Sequence, residues 1–329
     1  MTQDLSGRNI GIFRLDRQLS IGGTAAVYEA TIVDREIHPH RQGKKVALKI
    51  MHADHPQSAL FEGWLKAEID LLSKLYHPGI VRVYPIGQHF DEQYLGRAAE
   101  LNAENPPWYF IMELLTHQTL WNLVYDQGGR GRNRGGIHGV DMHWRMELLY
   151  QVVIALDYLH LQRLAHRDLK PENILFRDVP RPGNLPRPVL IDFGLGAKRE
   201  VRTGGADANA LTPSHASPER IADILDDGAY RSTSAGFDHM ASDIFSLGVI
   251  AYELFNGRYM FSEVTQETPD EELVQFILNR HAEPMNDDVP SDLQTLVFNM
   301  LEHNPNERPS TQQIIKWLET RGQLLPPRF

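Results

Sequence analysis

The sequence predicts an α+β fold in two lobes, a small one built on a five-stranded sheet with one helix and a larger one that is mainly helical. Two observations carry this. Short β-branched and aromatic runs separated by turn residues fill the first third of the chain. Beyond it, apolar residues recur at helical spacing. The 329 residues are ample for a sizeable core.

In chain order, Phe13-Arg14-Leu15, Val27 to Ala30 and Val46 to Ile50 read as strands. A helix follows from Leu60 to Leu75, with Leu65, Ile69, Leu72 and Leu75 on one face, and His77-Pro78-Gly79 stops it. Ile80 to Ile86 and Trp108 to Leu114 read as two further strands, separated by a polar insert from Gln88 to Pro107. Leu120 to Tyr125 is helical, as is Met142 to Leu161, where Leu148, Val152, Ala155, Leu156 and Leu159 form a stripe. Ile244 to Phe255 is apolar on nearly all sides, which suits a helix through the centre of a lobe, and Ile314 to Leu318 belongs to a final amphipathic helix. Asp126 to Val140, glycine-rich with three arginines, reads as a solvated loop, the alternative being a contact for RNA or an acidic partner. Val179 to Pro188, with four prolines, reads as a stiff loop.

Composition excludes several classes. With no cysteine there are no disulfides or thiolate metal sites, and the 15 histidines show no HExxH spacing. A net charge of −10 argues against general binding to nucleic acid or anionic membrane. No apolar run approaches the roughly 20 residues that span a bilayer, and Met1-Thr2-Gln3-Asp4 opens no export signal. A cytoplasmic location is the expectation.

The chemistry is concentrated in His166-Arg167-Asp168-Leu169-Lys170-Pro171-Glu172-Asn173 and, 19 positions after Asn173, Asp192-Phe193-Gly194. These place a base, a cation and two hard oxygen donors at the spacing that phosphoryl transfer requires. They resemble the catalytic loop and metal-binding triplet of the protein kinase superfamily. That resemblance spans about Ile10 to Trp317 and implies a protein-kinase-like bilobal domain over 1–323. Its small lobe would be about 1–112, its hinge 113–116 and its large lobe 117–323, with 324–329 a short tail.

By the same resemblance Asp168 orients the substrate hydroxyl, Lys170 neutralises the transferring phosphate, and Asn173 and Asp192 hold Mg²⁺, or Mn²⁺ in its place. Ser20-Ile21-Gly22-Gly23-Thr24-Ala25-Ala26-Val27 is similar to the family's phosphate-covering loop, with Ser20 and Ala25 where glycines are usual. Lys49 would meet the α- and β-phosphates of ATP and pair with Glu68. Val27, Ala47 and Leu175 would enclose the adenine, with Met112 at the back of the pocket and the backbone of Glu113 and Leu115 on the purine edge.

Lys170 together with Thr212-Pro213-Ser214-His215-Ala216-Ser217-Pro218-Glu219 resembles the serine/threonine-specific branch, and the whole resembles bacterial kinases of the eukaryotic-like type. Thr212 would contact Asp168 and Lys170, Glu219 would pair with Arg308, and Asp243 would anchor the catalytic loop. Gly204 to Leu211 has no hydroxyl residue for Arg167 to recruit once phosphorylated, so Asp207 is a candidate stand-in. Thr203, Thr212 and Ser214 are candidates for autophosphorylation. The implied partner is a protein with a Ser or Thr acceptor. The alternatives are an ATP-binding scaffold without turnover and a small-molecule kinase of related fold.

Overall fold

A computed structural model of the chain describes residues 4–22, 25–33, 43–52, 58–86, 93–101, 106–116, 118–125, 140–179, 184, 186–193, 213–225, 238–265 and 268–321. The chain divides into two compact units, one comprising Met1–Tyr76 and Ile80–His117, the other His77–Gly79 and Gln118–Phe329.

The first unit is a curled antiparallel sheet with one helix. Its strands are β1 (Asn9–Ile10), β2 (Phe13–Ile21), β3 (Ala25–Ile32), β4 (Lys45–Met51), β5 (Val83–Tyr84), β6 (Gly96–Arg97) and β7 (Trp108–Met112). They run in the order β1-β2-β3-β4-β7-β5, with β6 also on β7. Strand side chains alternate between faces. Ala26, Tyr28, Ala30, Ile32, Val46, Leu48, Ile50, Tyr109 and Ile111 pack in one buried cluster. That alternation leaves Val27, Ala47, Lys49, Phe110 and Met112 on the opposite face. Helix α1 (Ser58–Leu72) buries Leu65, Ile69 and Leu72.

The five expected strands are present, and two two-residue strands extend the sheet to seven. One of them corrects the reading of Gln88 to Pro107 as a polar insert. Part of it forms β6, and Ala98 is fully buried in the sheet's core cluster. Gly96 makes the approach possible, since a Cβ there would lie 2.6 Å from the Tyr109 ring.

The second unit is mainly helical: α2 (Leu120–Tyr125), α3 (Met142–Leu161), α4 (Pro218–Leu225), α5 (His239–Asn256), α6 (Asp270–Asn279), α7 (Ser291–Met300) and α8 (Thr311–Arg321). A two-stranded ladder, β8 (Ile174–Phe176) with β9 (Pro188–Leu190), completes it, so the proline-rich segment expected as a loop ends in a strand. Helix α5 is buried continuously from Ser242 to Asn256, as its apolar character demands. Asp238 caps it by accepting from the Met240 and Ala241 amides, and Gly257 ends it at φ +71°. Gly248 lets α7 come close, because a Cβ there would sit 2.9 Å from that of Met300. Among the described residues no helix is long and apolar enough to cross a membrane.

Candidate active site

In the second unit the segment after α3 is hung from α5 by one buried carboxylate. Asp243, 1% exposed, accepts from the backbone N–H of His166 (2.7 Å) and of Arg167 (2.8 Å). His160, near the end of α3, adds its Nε2 at 3.1 Å. Arg167 takes the left-handed φ of +71° at this point. Holding a non-glycine residue there costs energy, and the two amide bonds to Asp243 over-determine it. His166 is fully buried, stacks on Phe193 and shares its Nε2 with the Ile191 carbonyl at 3.1 Å. Burial holds its pKa below the ordinary 6.5, outweighing the nearby carboxylates of Asp243 and Asp168. The neutral ring donating from Nε2 leaves Nδ1 as an acceptor with no partner among the described residues.

Three of the expected catalytic residues, Asp168, Lys170 and Asn173, meet on this loop. Asn173 donates through Nδ2 to the Asp168 carbonyl (2.7 Å) and to Asp168 Oδ2 (2.9 Å). Lys170 Nζ stands 3.1 Å from the same carboxylate oxygen. Asp168 keeps 30% of its side chain exposed, so it is oriented by two neighbours yet open to a substrate. The β8–β9 ladder then brings Asp192 close to Asn173, since Ile191 N–H donates to the Asn173 carbonyl at 3.0 Å. Asp192 also has a left-handed φ, +52°. Leu175 lies on β8 between buried Ile174 and Phe176.

The segment carrying Ser217-Pro218-Glu219 is fixed from behind. Arg308 grips Glu219 with two parallel bonds of 2.6 and 2.8 Å, and its remaining donors reach the carbonyls of Ala241, Glu302 and His303. A neighbouring network was not foreseen. Buried Glu253 on α5 accepts from the Tyr125 hydroxyl and pairs with His215 Nε2 at 3.0 Å, while Ser246 donates to the His215 carbonyl. Sequence spacing gives no signal for it, nor for the bond from His160 to Asp243.

In the first unit, Lys49 Nζ lies 3.9 Å from Glu68 Oε1, with 16% and 15% of the two side chains exposed. The sheet register sets Val27 opposite Lys49, and Ala47 opposite Met112. These residues therefore share one face. Glu113 is fixed by its N–H to the Arg82 carbonyl (2.9 Å) and by its carboxylate, which accepts from the Arg82 amide at 3.0 Å. Leu115 is buried beyond it. In the turn between β2 and β3, Ser20 is opposite Val27, Ala25 is buried, and the Gly22 N–H donates to the Ala25 carbonyl at 2.8 Å. His52 Nε2 meets the Gly22 carbonyl at 2.8 Å. Gly23, Thr24, Thr203, Asp207 and Thr212 lie outside the described residues.

Residues 13–318 match the protein kinase domain family. The chain belongs to that family. Its similarity to named kinases is more distant. It is 28% identical over 307 residues to serine/threonine-protein kinase PknA of Mycobacterium tuberculosis, covering 92% of this chain and 58% of that protein. Against serine/threonine-protein kinase Pkn1 of Myxococcus xanthus it is 30% identical over 261 residues, covering 79% and 31%. Against serine/threonine-protein kinase PrkC of Bacillus subtilis it is 26% identical over 320 residues, covering 94% and 40%. The chain thus spans between 31% and 58% of the length of these relatives. The match supports the expectation of a bacterial, eukaryotic-like protein kinase domain.

Proposed function

We propose that this kinase domain transfers the γ-phosphoryl group of ATP to Ser or Thr hydroxyls of protein substrates, with autophosphorylation among its reactions. The observation that carries this reading is the Asp168 carboxylate, oriented by Lys170 and Asn173 on a loop suspended from Asp243. Phosphoryl transfer has a loose transition state, so alignment and charge neutralisation supply most of the rate. Asp168 orients the acceptor hydroxyl and takes its proton. Lys170 stands next to it as the fixed cation for the transferring phosphate. Lys49, steadied by Glu68, holds the α- and β-phosphates, and Val27, Ala47, Met112 and Leu175 are the residues for the adenine.

The donor set fits Mg²⁺, or Mn²⁺. Asn173 uses its amide nitrogen on Asp168, which turns its Oδ1 away, and Asp192 adds a second hard oxygen. No group of three or more His, Cys, Asp or Glu residues able to hold an ion by themselves occurs among the described residues. Two oxygen donors suit an ion that completes its shell with water and substrate phosphates. When bound, the ion would supply neutralisation of the phosphate oxygens.

The acidic balance of the chain supports a protein substrate over nucleic acid. The test is transfer from radiolabelled ATP with Mg²⁺ to generic protein substrates and to the chain itself, compared with Asp168→Asn, followed by identification of the labelled amino acid. Label on Ser or Thr that falls by at least ~100-fold in the variant supports the reading. ATP binding without transfer would shift it to a scaffold.

A further inference from the structure

We propose that Trp108, braced by Arg97 of β6, is a positioning residue that seats helix α1 and so sets the distance between Lys49 and Glu68. The inference rests on the kinase reading for its catalytic consequence but not for its structural part.

Strand β7 shows Trp108, Phe110 and Met112 on one face. Phe110 lies beside Lys49, whose Nζ is 5.9 Å from its ring centroid. Two residues back along the same face, Trp108 receives two cations. Arg97 of β6 packs on its ring at 3.9 Å and Lys66 of α1 stands over it at 5.0 Å. Among the described residues the indole Nε1 is buried without a partner, so the side chain works through its ring faces and not through its polar handle.

Lys66 and Glu68 are two positions apart on α1, which places them on different sides of the helix. Helix α1 is held by its buried face of Leu65, Ile69 and Leu72, and among the described residues Lys49 against Glu68 and Trp108 against Lys66 add polar contacts on different sides of it. The apolar face leaves small rotations open, and a rotation that lifts Lys66 from the indole carries Glu68 relative to Lys49. The 3.9 Å separation of that pair is long for an ion pair to hold by itself.

The insert builds the seat. Arg97 lies opposite Trp108 in the β6–β7 ladder and donates to the Pro106 carbonyl at 2.7 Å. Ala98 N–H donates to the Pro107 carbonyl at 2.9 Å, and Ala98 is buried in the sheet core. Glu100 reaches the far edge and accepts from the Gly11 amide at 2.8 Å. The described residues of this segment thus link the β1–β2 turn to the indole. A partner or modification acting on it would be felt at Glu68.

The experiment uses Lys66→Met, Trp108→Leu and Trp108→Phe, with Lys316→Met as control. Lys66 is exposed, so its variant keeps the fold. Lys316 is an exposed cation on α8, away from the measured helix. Two readouts are taken: kcat for phosphate transfer and amide exchange across 65–72. Lys66→Met and Trp108→Leu are expected to lower kcat about two- to fivefold and to speed exchange in α1. Trp108→Phe should recover most of the loss, and Lys316→Met should change neither readout. In a Glu68→Gln background, Lys66→Met should cost nothing further, because it acts through Glu68. The proposal is overturned if α1 exchange is unmoved in Lys66→Met and Trp108→Leu, or if their kcat losses persist undiminished beside Glu68→Gln. If the wild type transfers no phosphate while Lys66→Met and Trp108→Leu still speed α1 exchange, the kinase reading falls and the seat stands.

Discussion

The two units hold their key acids in opposite ways. In the second, Asp243 is 1% exposed and makes contacts of 2.7, 2.8 and 3.1 Å to His166, Arg167 and His160. In the first, Glu68 keeps 15% of its side chain exposed and stands 3.9 Å from Lys49. A buried carboxylate with three donors is costly to disturb, because each orphaned group loses its partner and cannot reach water. A longer, partly wetted ion pair contributes about 1 kcal/mol or less. The difference separates two jobs. The loop that carries Asp168 is tied into the core of its unit, whereas the Lys49–Glu68 pair stands at a longer distance with both side chains partly exposed.

The largest effect belongs to Asp243→Ala. Removing that carboxylate leaves two backbone amides and His160 without their acceptor, so denaturant unfolding should show a loss of about 3 to 5 kcal/mol. Phosphate transfer should collapse with it. A loss below about 1 kcal/mol would break the comparison. Next comes Arg308→Lys, which cannot reproduce the paired bonds to Glu219 or serve three carbonyls as well. About 2 kcal/mol is expected from the same unfolding measurement.

The pH response sharpens the contrast. His166 has its folded pKa pushed below 6.5 by burial, so near and below that pH the unfolded chain binds a proton that the folded chain refuses. The stabilisation is complete above about 6.5 and is lost as pH falls below it, by at most ~1.4 kcal/mol per pH unit. His77 and His303, also depressed mainly by burial, add to the slope. Stability measured between pH 7 and 5 should therefore fall, and His166→Phe, which keeps a ring against Phe193, should make the slope shallower. An unchanged slope would mean that His166 is not the group responsible. The smallest stability effect is that of Glu68→Gln, under about 1 kcal/mol, although turnover should drop by tenfold or more. A large loss of stability from this change would erase the distinction between the units.

Much of this could be read in the sequence because three of the candidate catalytic residues, Asp168, Lys170 and Asn173, sit in one contiguous run. Eight successive residues from His166 to Asn173 fix their own spacing, and Asp243 and Arg308 take their places once that frame is recognised. The division into sheet and helices followed from periodicity, which changes where the helical unit begins. Three features escaped for physical reasons. Strand β6 is two residues long and contains Gly96, so neither alternation nor β-propensity announces it, and only the Tyr109 ring it must clear explains the glycine. The bonds from His160 to Asp243 and from His215 to Glu253 join residues 83 and 38 positions apart, and no local pattern records such a pairing. The identity of the Lys49–Glu68 pair was legible, but its 3.9 Å separation depends on how α1 is seated.

The most direct test is residue-resolved amide exchange, with and without Mg²⁺ and ATP, comparing the His166 and Arg167 amides with those of 65–72 in α1. The account predicts that the two loop amides exchange only when their whole unit unfolds, and that nucleotide leaves them unchanged. It predicts faster exchange in α1, slowed when ATP draws Lys49 and Glu68 into register. Loop amides that exchange as fast as α1, or nucleotide protection confined to the loop, would contradict it.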